Sequence, residues 1–369
     1  VEVDVAIIGA GPAGATLAAL LARRGVHVAL YDRDQFPRDK VCGEFLSYDA
    51  LPLLGALGLL EELDRAGAPH IDRCRIIGSS RTFEFSFPHA ARGVSRWLLD
   101  DLLVRTAVSS GAEVHLATTI SELQDVHARV IVGAWGRWGR FDQQLDRAFI
   151  RDRSHRNFGF KRHYTGEHAH GAIDLYSFER GYLGVNAIEG GLTNICGLVH
   201  ASRLTGHKGR WDAFIDTLRR EEAALETLYA AHPPAQDAYL TSEPVIFRAR
   251  SAVEHGVFMI GDASGVIDPL TGNGMAMAVQ SALLVAPFVL RALSTRSRAM
   301  VEDDYRDAHR RFFATRIAWS RRVAVLLSRP RLLDAAMTAI RWKAIGEWLL
   351  RRTRGTREDV VRMTERWFA

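Results

Sequence analysis

Val3, Val5, Ile7 and Ile8 form a short apolar run of strand length, followed by Gly9-Ala10-Gly11-Pro12-Ala13-Gly14, whose glycines predict a tight turn. Ala15 to Arg24 reads as a helix rich in Ala and Leu, stopped by Gly25, and Val26 to Tyr31 as a second strand ending on Asp32. The polar, Pro-broken stretch from Arg33 to Glu44 predicts no regular element, and Ala50 to Leu63 has helical spacing, with Ser47 or Asp49 as its cap. Residues 71–88 alternate in strand fashion, Ser95 to Ser109 is a helix, and Glu113 to Leu116 and Ala128 to Gly133 are strands. Between Phe158 and His200 short β-rich runs (Phe158 to Tyr164, Ile173 to Phe178, Tyr182 to Ala187, Asn194 to Val199) alternate with glycine turns, predicting an antiparallel sheet. Trp211 to Tyr229 reads as one long amphipathic helix, Val257 to Asp262 returns to the parallel-strand style, and the chain is almost wholly helical after Gly274.

This pattern predicts an α/β fold: a doubly wound nucleotide domain built from separated segments, with an inserted antiparallel β-sheet substrate domain and a helical C-terminal tail. Residues 1–70, 92–140 and 250–295 are assigned to the first, 71–91 and 150–249 to the second, and 296–369 to the tail. At 369 residues, 47% hydrophobic and 25% charged, the composition is that of a soluble globular protein. Cys42, Cys74 and Cys196 are too few and scattered for a disulfide framework or a zinc site, which points to a reducing, cytoplasmic setting. No secretory segment is expected ahead of the first strand, and no uninterrupted apolar stretch of membrane-spanning length. The net charge of +5 comes with only four lysines (Lys40, Lys161, Lys208, Lys343) and no nucleic-acid-binding module, so no nucleic-acid partner is expected.

The strand, glycine turn, helix, strand and terminal acid together make the dinucleotide fingerprint in its full context. Gly9 allows the turn, Gly11 lets a pyrophosphate reach the backbone, and Gly14 lets helix and strand pack closely. Free N–H groups at the helix start meet phosphate, and Asp32 accepts a ribose hydroxyl. A second motif, Val257 to Ala282, runs strand, Gly261-Asp262, loop with Pro269 and Gly272-Asn273-Gly274, then helix. Its acid suits a hydrogen bond to a ribityl chain, and its glycines let a positive helix end face the pyrimidine edge of a flavin. The bland alternative is an ordinary strand–loop–helix with a capping Asp.

From about Val3 to about Leu290 the chain resembles the FAD-dependent oxidoreductases of the p-hydroxybenzoate-hydroxylase fold, in the geranylgeranyl-reductase-like branch bordering the flavin-dependent halogenases. The resemblance rests on Gly9, Gly11, Gly14, Asp32 and Arg33; on Phe36-Pro37-Arg38, Lys40 and Cys42-Gly43-Glu44; on Arg96; and on Gly261-Asp262 with Pro269, Gly272 and Gly274. It implies a glutathione-reductase-type FAD domain contacted by these residues and by Pro12, Ala13, Trp135, Gly136, Asn273 and Met275. Electrons would come from NAD(P)H or a separate flavin reductase. Two departures stand out: Trp135-Gly136 replaces the family's Asp-Gly, and Arg73 and Arg75 occupy the neighbourhood of the halogenases' essential lysine, which disfavours halogenation.

Cys42 and Glu44 are the candidate catalytic pair, with a buried thiol and a surface carboxylate at a helix start as the bland alternatives. Arg38 and Lys40 either hold a phosphate or acidic group or are solvated. His163, His168 and His170 fall in the β-rich part without the spacing of one helical face, and no metal site is expected. Phe158, Phe160, Tyr164, Tyr176, Phe178 and Tyr182 either line a substrate cavity or form sheet core. The tail, Leu332 to Trp367, with Trp342, Trp348, Trp367 and many Arg, either packs on the protein with Arg outward or lies on a membrane or partner. The activity implied is a monooxygenase acting on a hydrophobic or aromatic secondary-metabolite-type molecule, free or carrier-tethered. A reductase of carbon–carbon double bonds stands beside it, and a non-redox cyclase or binding module behind both.

Overall fold

The computed structural model describes residues 2–151, 157–166, 168–207, 209–245, 247, 250–339, 348, 350, 352–354 and 356–369. Trp342, Lys208 and Lys343 lie outside them. The N-terminal half runs β1 (Val3–Ile8), α1 (Pro12–Ala22), β2 (Val28–Tyr31), β3 (Phe45–Leu46), α2 (Leu51–Ala56), α3 (Leu60–Arg65), β4 (His70–Ile77), β5 (Thr82–Gly93), α4 (Arg96–Ser109), β6 (Glu113–His115), β7 (Ala128–Gly133) and α5 (Arg140–Gln144). There follow β8 (Asn157–Tyr164), β9 (Gly171–Phe178), β10 (Gly181–Ile188), β11 (Leu192–His200), α6 (Ala201–Leu204), α7 (Trp211–Glu221), α8 (Ala223–Ala231) and β12 (Leu240–Thr241). The chain closes with β13 (Val253–Glu254), β14 (Val257–Met259), α9 (Gly274–Ser294), α10 (Arg298–Leu327), α11 (Pro330–Ala339) and α12 (Arg357–Phe368).

Two sheets organise the described residues. The first has the order β13-β14-β7-β1-β2-β6, with β1 parallel to both neighbours, Val5 opposite Val28 on one side and Val130 on the other. Strands buried on both faces read as unbroken apolar runs, which is why Val3–Ile8 and Ala128–Gly133 were visible in the sequence. The second has the order β12-β8-β11-β10-β9-β4-β5-β3; its strands pair antiparallel except β4 with β9. The result is a p-hydroxybenzoate-hydroxylase-type α/β fold with a helical C-terminal region.

Two expected helices are each divided. The stretch Ala50–Leu63 breaks at Leu57-Gly58, where Gly58 takes φ +84°, and Trp211–Tyr229 breaks at Glu222, whose extended backbone (φ −127°, ψ 105°) ends α7. Neither Ser47 nor Asp49 caps α2, whose N-cap is Ala50; the Asp49 carboxylate instead accepts from Gln280 Nε2 at 3.0 Å. The expectation of no membrane-length apolar stretch is also corrected, because α9 is long and apolar enough to cross one by length and composition. Its Val279, Ala282, Val285, Ala286 and Val289 are fully buried in the main apolar cluster with α1 and α10. In the tail, Trp367 is buried and Trp348 meets Trp319 edge-on at 4.7 Å, so both pack on the protein.

Candidate flavin and substrate site

The turn after β1 separates glycines that the fold needs from one that it leaves open. Gly9 has φ +111°, and a Cβ there would stand 2.4 Å from the Ala134 carbonyl oxygen. A Cβ on Gly14 would stand 1.9 Å from the Gly9 carbonyl oxygen. Gly11, the N-cap of α1 with Pro12 behind it, meets nothing nearer than Arg96 Nη2 at 3.8 Å. At the tip of β2, Asp32 accepts hydrogen bonds from the N–H groups of Ala10 (2.7 Å) and Asp34 (2.9 Å), which fixes the acid at the rim of the turn. Arg33 is largely exposed, turned from the site toward solvent beside Asp34.

Two arginines converge on one buried acid. Arg96, following the cap Ser95, donates through Nε and Nη2 to Asp100 at 2.6 Å each, and Arg38 Nη1 reaches the same carboxylate at 2.9 Å. Burial pushes the Arg96 guanidinium down, but Asp100 more than offsets this and holds it above its ordinary value. Asp100, one helical turn after Arg96, was missed in the sequence, although its i,i+4 spacing was the available signal. Lys40 is paired with Asp34 at 2.8 Å.

The Cys42-Gly43-Glu44 segment crosses from the first sheet to the second. Desolvation pushes the Cys42 thiol up, against the pull of Arg96, and its sulfur accepts from the Glu44 N–H at 3.4 Å. Gly43 has open space where a side chain would begin. Glu44 is not a surface carboxylate: it is fully buried, at φ +51°. Its Oε1 accepts from Lys161 Nζ (2.5 Å) and Arg96 N (2.9 Å), and its Oε2 lies 2.7 Å from His163 Nε2. Lys161 also reaches Asp39 at 3.1 Å. Asp39, Glu44 and His163 bring three potential metal ligands within 4.8 Å of one another, and the Lys161 ammonium already supplies positive charge among them. His163 and His168, from which no joint metal site is expected, take different partners: His168 faces Asp174 at 3.6 Å while His163 faces Glu44. Lys161 and Asp39 carried no sequence signal, being held by pairing across 117 and 122 positions.

The second motif comes to the first. Because β14 lies beside β7 and β7 beside β1, Gly261 is so close to α1 that its Cβ would stand 3.0 Å from that of Ala13. The half-buried Asp262 carboxylate has no hydrogen-bond or ion-pair partner among the described residues; only its carbonyl is engaged, by Arg250 Nη1 at 3.1 Å. Pro269 is exposed, while Gly272, at φ +62°, lies so near Phe45 that a Cβ would stand 2.6 Å from the ring. Before them, Asp268 accepts from Tyr182 Oη (2.7 Å) and the Leu270 N–H (3.1 Å). At the start of α9, the Asn273 side chain donates to the Thr353 carbonyl at 2.9 Å, Gly274 opens the helix, and Met275 is packed in the core.

Trp135 is placed differently from expectation. Its backbone flanks Gly9, but the indole turns back over Gly133 and Gly139, meets Phe141 at 5.1 Å and donates to Asp142 at 3.2 Å. It is a core ring, with Gly136 at φ +85° beyond it.

Of the six aromatics expected either at a cavity or in sheet core, Phe160, Tyr164 and Phe178 are core, buried under α7 and α8, with Phe158 and Tyr176 packed against them. Tyr182 lies on the opposite face, clustered with Phe45, Tyr48, Phe87, Leu175 and Leu198. The period of two decides this: along β10, Leu183 and Val185 face the helices and Tyr182 faces the loop that carries Asp268.

Residues 2–131 match the family described as FAD binding domain. The chain is 25% identical to conditioned medium factor receptor 1 of Dictyostelium discoideum over 94% of this chain and 75% of the relative. It is 27% identical to menaquinone reductase of Mycobacterium tuberculosis, over 89% of this chain and 85% of that one. Among solved structures, a triple mutant of the flavin-dependent brominase Bmp2 superposes with a TM-score of 0.77 at 20% identity, covering 100% of both chains. A probable FAD-dependent monooxygenase of Pseudomonas aeruginosa, PqsL, gives 0.72 at 17% identity over 91% of this chain and 100% of its own. Residues 2–131 are thus similar to an FAD binding domain, and the chain has the fold shared by the Bmp2 brominase and the PqsL structure.

Proposed function

We propose that the chain is an FAD-dependent monooxygenase that oxidises a hydrophobic or aromatic small molecule. The residues present fit the cofactor: Gly11 is open beside the Arg96 guanidinium, and Asp262 offers a carboxylate without a partner among the described residues at the Gly261–Ala13 contact. In this reading Asp32 accepts a ribose hydroxyl, Gly11, Pro12, Ala13 and Arg96 receive the pyrophosphate, and Asp262 receives a ribityl hydroxyl. The Gly272–Gly274 helix start meets the pyrimidine edge. Bound FAD supplies two-electron redox chemistry and, once reduced by NAD(P)H or a flavin reductase, reaction with O2. The observation that carries the choice is the apolar face of Phe45, Phe87, Tyr182 and Leu198 beside the Gly272 turn, which suits an aromatic body kept from water.

Two other readings have support. Menaquinone reductase among the relatives favours reduction of a double bond, with the protonated Cys42 thiol as the nearby acid, a role that Glu44, held by three donors, is poorly placed to fill. The brominase favours halogenation as strongly as PqsL favours oxygenation, so halogenation stands level with it despite the low rank expected from the resemblance. Against halogenation, Arg75 is held by Asp174 at 2.6 and 2.5 Å where the resemblance implies a lysine. A non-redox module loses its support, since the Trp135 indole packs away from the turn.

The experiment is to reduce the purified yellow protein anaerobically with NADPH or a flavin reductase, then admit O2 with aromatic candidates, with and without bromide. Gain of one oxygen atom in the product supports the reading; gain of halogen or of two hydrogens replaces it. Gly11→Ala is expected to unfold like the wild type, having 3.8 Å of clearance, yet to bind FAD about tenfold or more weakly by fluorescence titration. Unchanged FAD affinity would remove Gly11 from the cofactor site.

A further inference from the structure

Arg354 lies between α11 and α12, and only 6% of it is exposed. Its guanidinium carbon stands 4.9 Å from the Phe87 ring centre, 5.5 Å from that of Phe45 and 5.6 Å from that of Tyr48. Nη2 donates to the Thr271 carbonyl at 3.0 Å, which places the group at the turn that leads into Gly272. Nε and Nη1 are buried and make no hydrogen bond of normal geometry to a described residue, although the guanidinium interacts with the Tyr48 hydroxyl. Buried Arg147 is answered by Asp142 and Glu254, buried Arg92 by Asp64 and half-buried Arg96 by Asp100, whereas buried Arg316 donates to the Gln280 amide oxygen. Among the described residues no carboxylate lies within ion-pair distance of Arg354.

A buried guanidinium with donors on both of its edges short of a well-formed hydrogen bond is costly unless something completes it. Rings on several sides offer cation–π attraction, which leaves those in-plane N–H groups without such a bond. A planar carboxylate would answer them in the fork geometry that arginine favours, and the surrounding rings would accept an aromatic body attached to it. We propose that Arg354 forms an anion-recognition site for an aromatic carboxylate, set beside the Gly272 turn. The inference deepens the function proposed above and rests on it only for calling that ligand the substrate.

The test is calorimetric titration of the full chain, with and without added FAD, using benzoate and 1-naphthoate against the corresponding neutral amides. The wild type is expected to bind each carboxylate about tenfold or more tightly than its amide. Arg354→Gln should erase that preference, and Arg354→Lys, which keeps the charge without the fork, should retain part of it. Equal binding of acid and amide by the wild type, binding of neither, or a preference that survives in Arg354→Gln overturns the proposal. Should Arg354→Gln not fold, the wild-type comparison and Arg354→Lys decide; an undiminished preference in Arg354→Lys excludes the fork. Carboxylate preference in a chain that takes up no FAD would sustain this site and overturn the flavin reading. A yellow protein without the preference would do the reverse.

Discussion

Lys161→Met is expected to lower the free energy of unfolding by about 3–5 kcal/mol near neutral pH. The ammonium and the Glu44 carboxylate are both fully buried 2.5 Å apart, and Asp39 stands on the other side of the nitrogen. Methionine matches the length of the stem but leaves the Glu44 charge with His163 and a single backbone N–H. An unanswered buried charge, rather than a lost attraction, is the reason for the size of the effect. Adding Glu44→Gln should therefore restore most of the loss, because a neutral amide no longer needs the cation. Urea denaturation of the single and double variants measures both numbers. A double variant as weak as the single, or a single variant within about 1 kcal/mol of wild type, would mean that water reaches the cluster.

The second large effect depends on pH. Burial pushes the Asp268 carboxyl up to about 6, against the opposing hydrogen bonds from Tyr182 and Leu270. The unfolded value is about 3.9, so between the two values the folded chain holds more protons than the unfolded one. Stability from this group is highest below about pH 4, falls as the pH rises towards 6, and stays low above it, by on the order of 3 kcal/mol in all. Asp268→Asn keeps an oxygen for both donors and cannot ionise. It is expected to exceed the wild type by up to about 3 kcal/mol at pH 8 and to match it near pH 4. Denaturation curves at the two values check this. An Asn variant weaker than wild type at pH 8 would show that the ionised acid is held by something stabilising.

What could be read from the chain was what lies close together along it. Val3–Ile8, the Gly9–Gly14 turn and the Ala128–Gly133 strand are local patterns, and all took the expected conformation. The β-rich runs of β8 to β11 were equally visible, because alternation is written within each strand. The face each side chain would take was not, and five of the six aromatics went to the helix side. Nor could spacing reveal that Glu44 would be enclosed by Lys161 and His163, since they lie 117 and 119 positions away along the chain. Splits at Gly58 and Glu222 were missed because apolar periodicity continues across both breaks while the backbone does not.

The helix α12 packs on α2 and α9, and its far end meets the turn that follows α1. Arg24, just past the end of α1, bonds to the Trp367 carbonyl and stacks over that indole, and Arg23 lies over the Phe368 ring. Thr353 and Arg354 are meanwhile fastened to Asn273 and Thr271. Thr353, Arg354 and α12 thereby form a strap tied at one end to the loop before α9 and at the other to the turn that follows α1. The loop before α9 therefore owes its shape to partners 80 and 83 positions further along the chain.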